Sequence, residues 1–191
     1  MRVLAALVLA LIACGASHVD PGPASPPPKR VPPPPTIHVC YSKVRPEMIP
    51  QIDAGVRGWQ YATEGWRRWG FGAPCELTFT ERDEGEGPCS ENATACTVIG
   101  RLLGDRPRAI VWLVRGRYEL GVTITVMHEI GHAFGLDHTD GGVMQAVATP
   151  AMWAATWDCP DPVTTTRLEW ATGARFRSCP VPSVALSVSP E

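Results

Sequence analysis

Three of the chain's five histidines fall within one short run, His128-Glu129-Ile130-Gly131-His132-Ala133-Phe134-Gly135-Leu136-Asp137-His138. On a helix, residues four apart share a face, so His128 and His132 can aim ring nitrogens at one point. Neutral imidazole suits zinc at about 2.0–2.1 Å. Gly135 is placed to end the helix, because a left-handed residue past the last turn costs glycine nothing sterically. The chain then turns, and His138 can return as a third ligand. Three nitrogens leave the fourth position of a tetrahedral ion to water, the arrangement of a catalytic rather than a structural site.

Glu129 follows the first ligand and stands beside the metal rather than on it. From there it can act as general base towards a zinc-bound water, whose pKa the metal lowers to about 7, and pass the proton to a departing amine. A bare HExxH pattern also fits a surface helix with two solvated histidines. Here the longer pattern HExxHxxGxxH is complete, and the remaining histidines, His18 and His38, lie near the N-terminus.

This run resembles the metzincin signature, and its wording is closest to the matrixin branch. Metzincins carry a methionine turn beneath the zinc, and Met144 in Asp140-Gly141-Gly142-Val143-Met144 matches it. Ala146 stands where the astacin and serralysin branches often have a tyrosine ligand. The resemblance implies a zinc-dependent metalloendopeptidase with one catalytic ion and a protein or peptide substrate. It also implies a twisted sheet of five strands whose antiparallel edge strand, Thr94–Leu103 by order, borders the cleft, with Ala109–Val114 inside it. Residues after Met144 would form the specificity pocket, with Met152, Trp153 and Trp157 as candidate apolar wall or core. Nothing before residue 36 resembles the latency segment of matrixins, and the histidines for their second, structural zinc are lacking. A minimal catalytic unit is the expectation. Two rivals use the same metal: a catalytically inactive zinc-binding surface lipoprotein, against which Glu129 argues, and a hydrolase of cell-wall amide bonds.

The elements that must position these residues are legible as a mixed α/β (α+β) domain. Thr36–Tyr41 alternates like a strand. Between Pro46 and Gly70 the apolar residues Ile52, Val56, Trp59, Ala62 and Trp66 form the stripe of an amphipathic helix that Gly70 would close. Cys75–Thr80 reads as a second strand, and the two β-rich runs named above as the next ones, parted by the turn Gly104-Asp105-Arg106-Pro107. Glu81–Asn92 is acidic and glycine-rich, a surface loop. Calcium could sit there, but no defined ligand spacing supports it. Val122–Phe134 is the active-site helix. Asp161-Pro162, an N-cap followed by proline, opens a last helix towards Trp170 that ends at Gly173.

Ahead of this domain, residues 1–13 read as a signal peptide: Arg2, then an apolar run too short to span a bilayer. Leu11-Ile12-Ala13-Cys14 resembles the bacterial lipobox, which implies cleavage before Cys14 and a cysteine that carries acyl chains. Residues 14–35 form a proline-rich linker suited to a semi-rigid spacer, leaving residues 36–191 as the catalytic domain, about 155 residues with room for a core. Gly15 after the lipidated cysteine resembles outer-membrane sorting, so an exported, lipid-anchored envelope protein is expected, most simply a monomer. Six further cysteines suggest disulfides. Cys89 with Cys96 would close a small loop, Cys159 with Cys179 would tie down the C-terminal segment, and Cys40 with Cys75 would remain. The net charge of −2, with scattered arginines, gives no nucleic-acid surface.

Overall fold

The computed structural model describes residues 36–103, 108–146, 152 and 157–180. Cys14, the signal peptide, the linker and Trp153 lie outside the described residues.

Five strands form one sheet: β1 (Thr36–Ser42), β2 (Arg68–Phe71), β3 (Leu77–Arg82), β4 (Ala95–Arg101) and β5 (Arg108–Val114), in the order β2-β1-β3-β5-β4. Every neighbouring pair is parallel except β4 with β5, which is antiparallel and puts β4 on the edge. Among the described residues three α-helices accompany the sheet: α1 (Ile49–Ala62), α2 (Val122–Ala133) and α3 (Pro162–Thr172). None among the described residues is long and apolar enough to cross a membrane.

Two readings of the sequence are corrected. The helical stripe stops at Ala62 rather than at Gly70, and Arg68–Phe71 becomes β2 instead. Thr63 is the reason. Its hydroxyl donates back to the carbonyl of Trp59, its own carbonyl accepts from the amides of Trp66 and Arg67, and Gly65 turns the chain at φ +83°. Trp66 therefore leaves the helix face and packs on Phe134, as do Trp59 and Trp69. The second correction is Glu81, which is 2% exposed within β3 and not on a surface loop. The side chains of Arg45 and Arg115 both donate to Glu81 Oε1, which removes the cost of a lone buried carboxylate.

The core lies between sheet and helices. Ile37, Val39, Phe79 and Val111 meet Ile52, Val56 and Trp59 of α1 and Val126, Met127 and Ile130 of α2. The two helices cross closely at glycines. A Cβ on Gly55 would lie 2.7 Å from Cγ1 of Val126, and one on Gly58 would lie 2.3 Å from Cε of Met127. At this crossing the buried Trp59 indole donates to the carbonyl of Met127 at 2.9 Å, so α2 is held by a directional bond as well as by packing.

Disulfides join Cys40–Cys75, Cys89–Cys96 and Cys159–Cys179, with Cα atoms 5.5, 5.6 and 5.4 Å apart. These are the pairs named from the sequence. Three disulfides suggest an exported or extracellular protein.

Candidate metal centre

α2 ends where its sequence says it must. Gly135 takes φ +83°, its amide donates to the carbonyl of His132 at 2.8 Å, and the Leu136 amide donates to Gly131 at 3.0 Å. This pair of bonds satisfies carbonyls that the last turn would leave open. The same turn does a second task. It brings the Leu136 carbonyl back over the helix, where it accepts from Nδ1 of His132 at 2.8 Å. Phe134, fully buried among three tryptophans, and a bond from the Leu102 amide to the Ala133 carbonyl at 2.7 Å fix this end.

His128, one turn earlier, is oriented in the same way by another loop. Its Nδ1 lies 2.7 Å from the Val143 carbonyl. Val143 belongs to the turn that carries Met144, and its amide donates to the buried carboxylate of Asp161 at 2.7 Å. Asp161 also caps α3 through the amides of Val163 and Thr164 and accepts from the Thr164 hydroxyl. Gly142, at φ +74°, must be glycine, since a Cβ there would stand 2.4 Å from an Asp161 oxygen. Beneath α2, Met144 presses its sulfur against Gly131, where a Cβ would come within 2.2 Å.

With their Nδ1 protons committed to carbonyls, His128 and His132 turn bare Nε2 lone pairs towards each other at 3.0 Å, and Nε2 of His138 lies 3.1 Å from that of His132. No hydrogen lies between the first two, so their lone pairs repel unless a cation is shared. A tetrahedral ion bonded at about 2.05 Å to each nitrogen would space them about 3.3 Å apart, close to what is seen. The donor set thus fits a metal, with Nε2 ligands oriented by backbone acceptors as metal-binding histidines usually are. Burial drives the pKa of His128 down to about 4, helped by the neighbouring His132 and His138 and opposed by the Val143 carbonyl. Burial likewise lowers that of His132. Both rings are therefore held neutral, the form that ligates.

Glu129 is 4% exposed beside this triad. Burial pushes its pKa up to about 7, against Thr97, whose hydroxyl lies 2.9 Å from Oε2 and draws it down. A cavity of about 1050 Å³ opens over the site, lined by β4 on one side, by α2 below, and by Gln145, Ala146 and Met152 beyond. Among the three apolar wall candidates, Met152 lines this cavity whereas Trp157 is buried in the core. His38 stands apart on β1, its Nδ1 2.9 Å from Glu76. Asp161, Gly131 and Thr97 are the site residues that sequence reasoning passed over. Gly131 did carry a signal, since glycine inside a helix costs about 1 kcal/mol relative to alanine and needs a packing reason.

No family model matches the chain, and no curated protein matches it. Among solved structures it is similar to that of myroilysin, at 18% identity and a TM-score of 0.37, over 54% of this chain. The match spans about half of that protein's length (48%), and a likeness so slight carries no argument. What stands on the geometry alone is a mixed α/β fold with a three-histidine cluster whose donors could hold a metal ion.

Proposed function

We propose that this chain is a zinc-dependent metalloendopeptidase with Glu129 as its general base. The observation that carries the reading is the convergence of three Nε2 atoms next to a buried carboxyl at the floor of an open cavity. His128, His132 and His138 would hold the ion. Zinc held by three imidazoles keeps a fourth position open and supplies a Lewis acid that lowers the pKa of water to about 7.

The chain's own residues supply the rest. Glu129, buried beside the three histidines, would take a proton from the attacking water and return it to the amine that leaves. A peptide bound in the cavity would lie along the open edge of β4, where strand pairing gives affinity without sequence preference. The metzincin resemblance of His128–His138 and Met144 supports a peptide as the substrate, and the matrixin-like branch remains the nearest in wording. Acylation of Cys14 and the proline-rich spacer would tether this domain at the bacterial envelope, most simply at the outer membrane.

The test is cleavage of an unbiased peptide mixture by the zinc-loaded chain, compared with Glu129→Ala. Cuts that vanish in the variant while zinc is retained support the reading. A zinc-loaded wild type that cuts no peptide sinks it in favour of a binding lipoprotein or a hydrolase of other amides.

A further inference from the structure

β4 meets the active-site helix through a polar contact. The Thr97 hydroxyl lies 2.8 Å from the carbonyl oxygen of Glu129 and 2.9 Å from its Oε2. The register of β4 on β5 breaks at this place: Thr97 pairs with Val111 and Ile99 with Ile110, which leaves Val98 as the extra residue of a bulge. A bulge re-aims the side chains beside it, and bulges concentrate near active sites.

We propose that Thr97 is a positioning residue that fastens the Glu129 carboxyl to the edge strand. The inference rests on the reading of Glu129 as the base. The Glu129 main-chain oxygen can only accept, and the hydroxyl has one proton to give. By facing both the backbone oxygen and Oε2 of Glu129, the one hydroxyl ties the edge strand to the main chain and to the carboxyl of that residue. Strand propensity alone does not account for the residue, because valine suits a strand as well and lacks the hydroxyl. Base and strand become one rigid unit, so a peptide lying on β4 is set at a fixed distance from the group that handles its proton.

The test compares Thr97→Val, which keeps the shape, with Thr97→Ser, which keeps the hydroxyl. Each is loaded with zinc and checked for stoichiometric metal and an unchanged far-UV spectrum. Thr97→Val should lower kcat about 10- to 100-fold with little change in KM, the scale of one hydrogen bond to a charged group, and Thr97→Ser should restore most of it. In the metal-free chain the carbon-13 resonance of the Glu129 carboxyl, assigned against Glu129→Gln, should shift in Thr97→Val and stay near wild type in Thr97→Ser. Wild-type kcat in Thr97→Val, a change in KM alone, or an unmoved resonance would each overturn the proposal. If zinc-loaded wild type cleaves no peptide, the proposed activity fails by itself, and the resonance still decides whether Thr97 holds Glu129. Thr97→Ala takes the place of Thr97→Val should the latter not fold.

Discussion

The Asp161 carboxylate and the amide of Val143 form a 2.7 Å hydrogen bond that ties the cap of α3 to His128, because the carbonyl of the same Val143 accepts from His128 Nδ1. One residue of backbone therefore relays the position of a helix cap to a histidine of the triad. Asp161 is fully buried and accepts four hydrogen bonds from Val143, Val163 and Thr164.

Asp161→Ala should therefore act at two places. Loss of the cap and of the acceptor for a buried amide should cost about 3 kcal/mol of stability. Loss of orientation at His128 should weaken zinc binding about 10- to 100-fold, in the range found when outer partners of metal ligands are removed. Denaturant unfolding of the metal-free chain measures the first effect and competition with a chromophoric chelator the second. Unchanged zinc affinity would show that the relay through Val143 does not reach the ligand.

Gly131→Ala sets two effects against each other. The substitution gains about 1 kcal/mol in helix propensity. Its Cβ would fall 2.2 Å from the sulfur of Met144, which is completely buried. Overpacking of this kind costs about 1–3 kcal/mol, so a net loss is expected, together with displacement of the turn that holds His128. In the double variant Gly131→Ala/Met144→Ala the clash is gone, and the two changes should couple strongly in a thermodynamic cycle. Additive effects would mean that the contact is not tight.

The metal-free chain should show opposed pH dependences at its two neighbouring groups. His128 falls from 6.5 to about 4 on folding, so the unfolded chain binds the proton more tightly, and this contribution to stability is lost as pH falls from 6.5 towards 4. Glu129 rises from 4.5 to about 7, so its contribution is present below 4.5 and lost as pH rises through 7. In wild type the two offset each other between these limits. Glu129→Gln removes only the second, and its stability should fall more steeply on acidification. Thermal melting across this range, with chelator present, reads the difference.

The disulfides should separate stability from activity. Cross-linking Cys40 to Cys75 closes a loop of 35 residues, and chain entropy assigns it about 4 kcal/mol, against about 2 kcal/mol for the 7-residue separation of Cys89–Cys96. Only the smaller loop lines the cavity and leads directly into Thr97. Paired Cys→Ser changes at 40 and 75 should lower the melting temperature more. Those at 89 and 96 should lower peptide cleavage more, and the reverse ranking would refute this division.

The clustering of the histidines and the helix stop were legible because their chemistry is local. His128, His132 and Gly135 follow from helical spacing and from the one residue type that tolerates φ > 0. What stayed hidden depended on partners far along the chain. Trp66 fits the α1 stripe by spacing, yet the bonds gathered by Thr63 and the aromatic cluster at Phe134 draw it away and release β2. Glu81 looks like a loop acid until Arg45 and Arg115 reach it from 36 and 34 residues away on either side. Asp161 reads as a helix cap, and nothing near it in sequence tells that Val143 needs the same carboxylate. Thr97 looks like any strand threonine until α2 is laid across it.

The turn at Gly135 gives the metal centre a requirement of handedness. The carbonyl that steadies His132 reaches it only because residue 135 adopts a backbone conformation native to the mirror image of an ordinary amino acid. D-alanine introduced there by chemical synthesis would keep Leu136 over the ring, whereas L-alanine would strain the turn and swing the carbonyl aside. Chirality at a residue with no side chain is thus part of the geometry of the histidine triad.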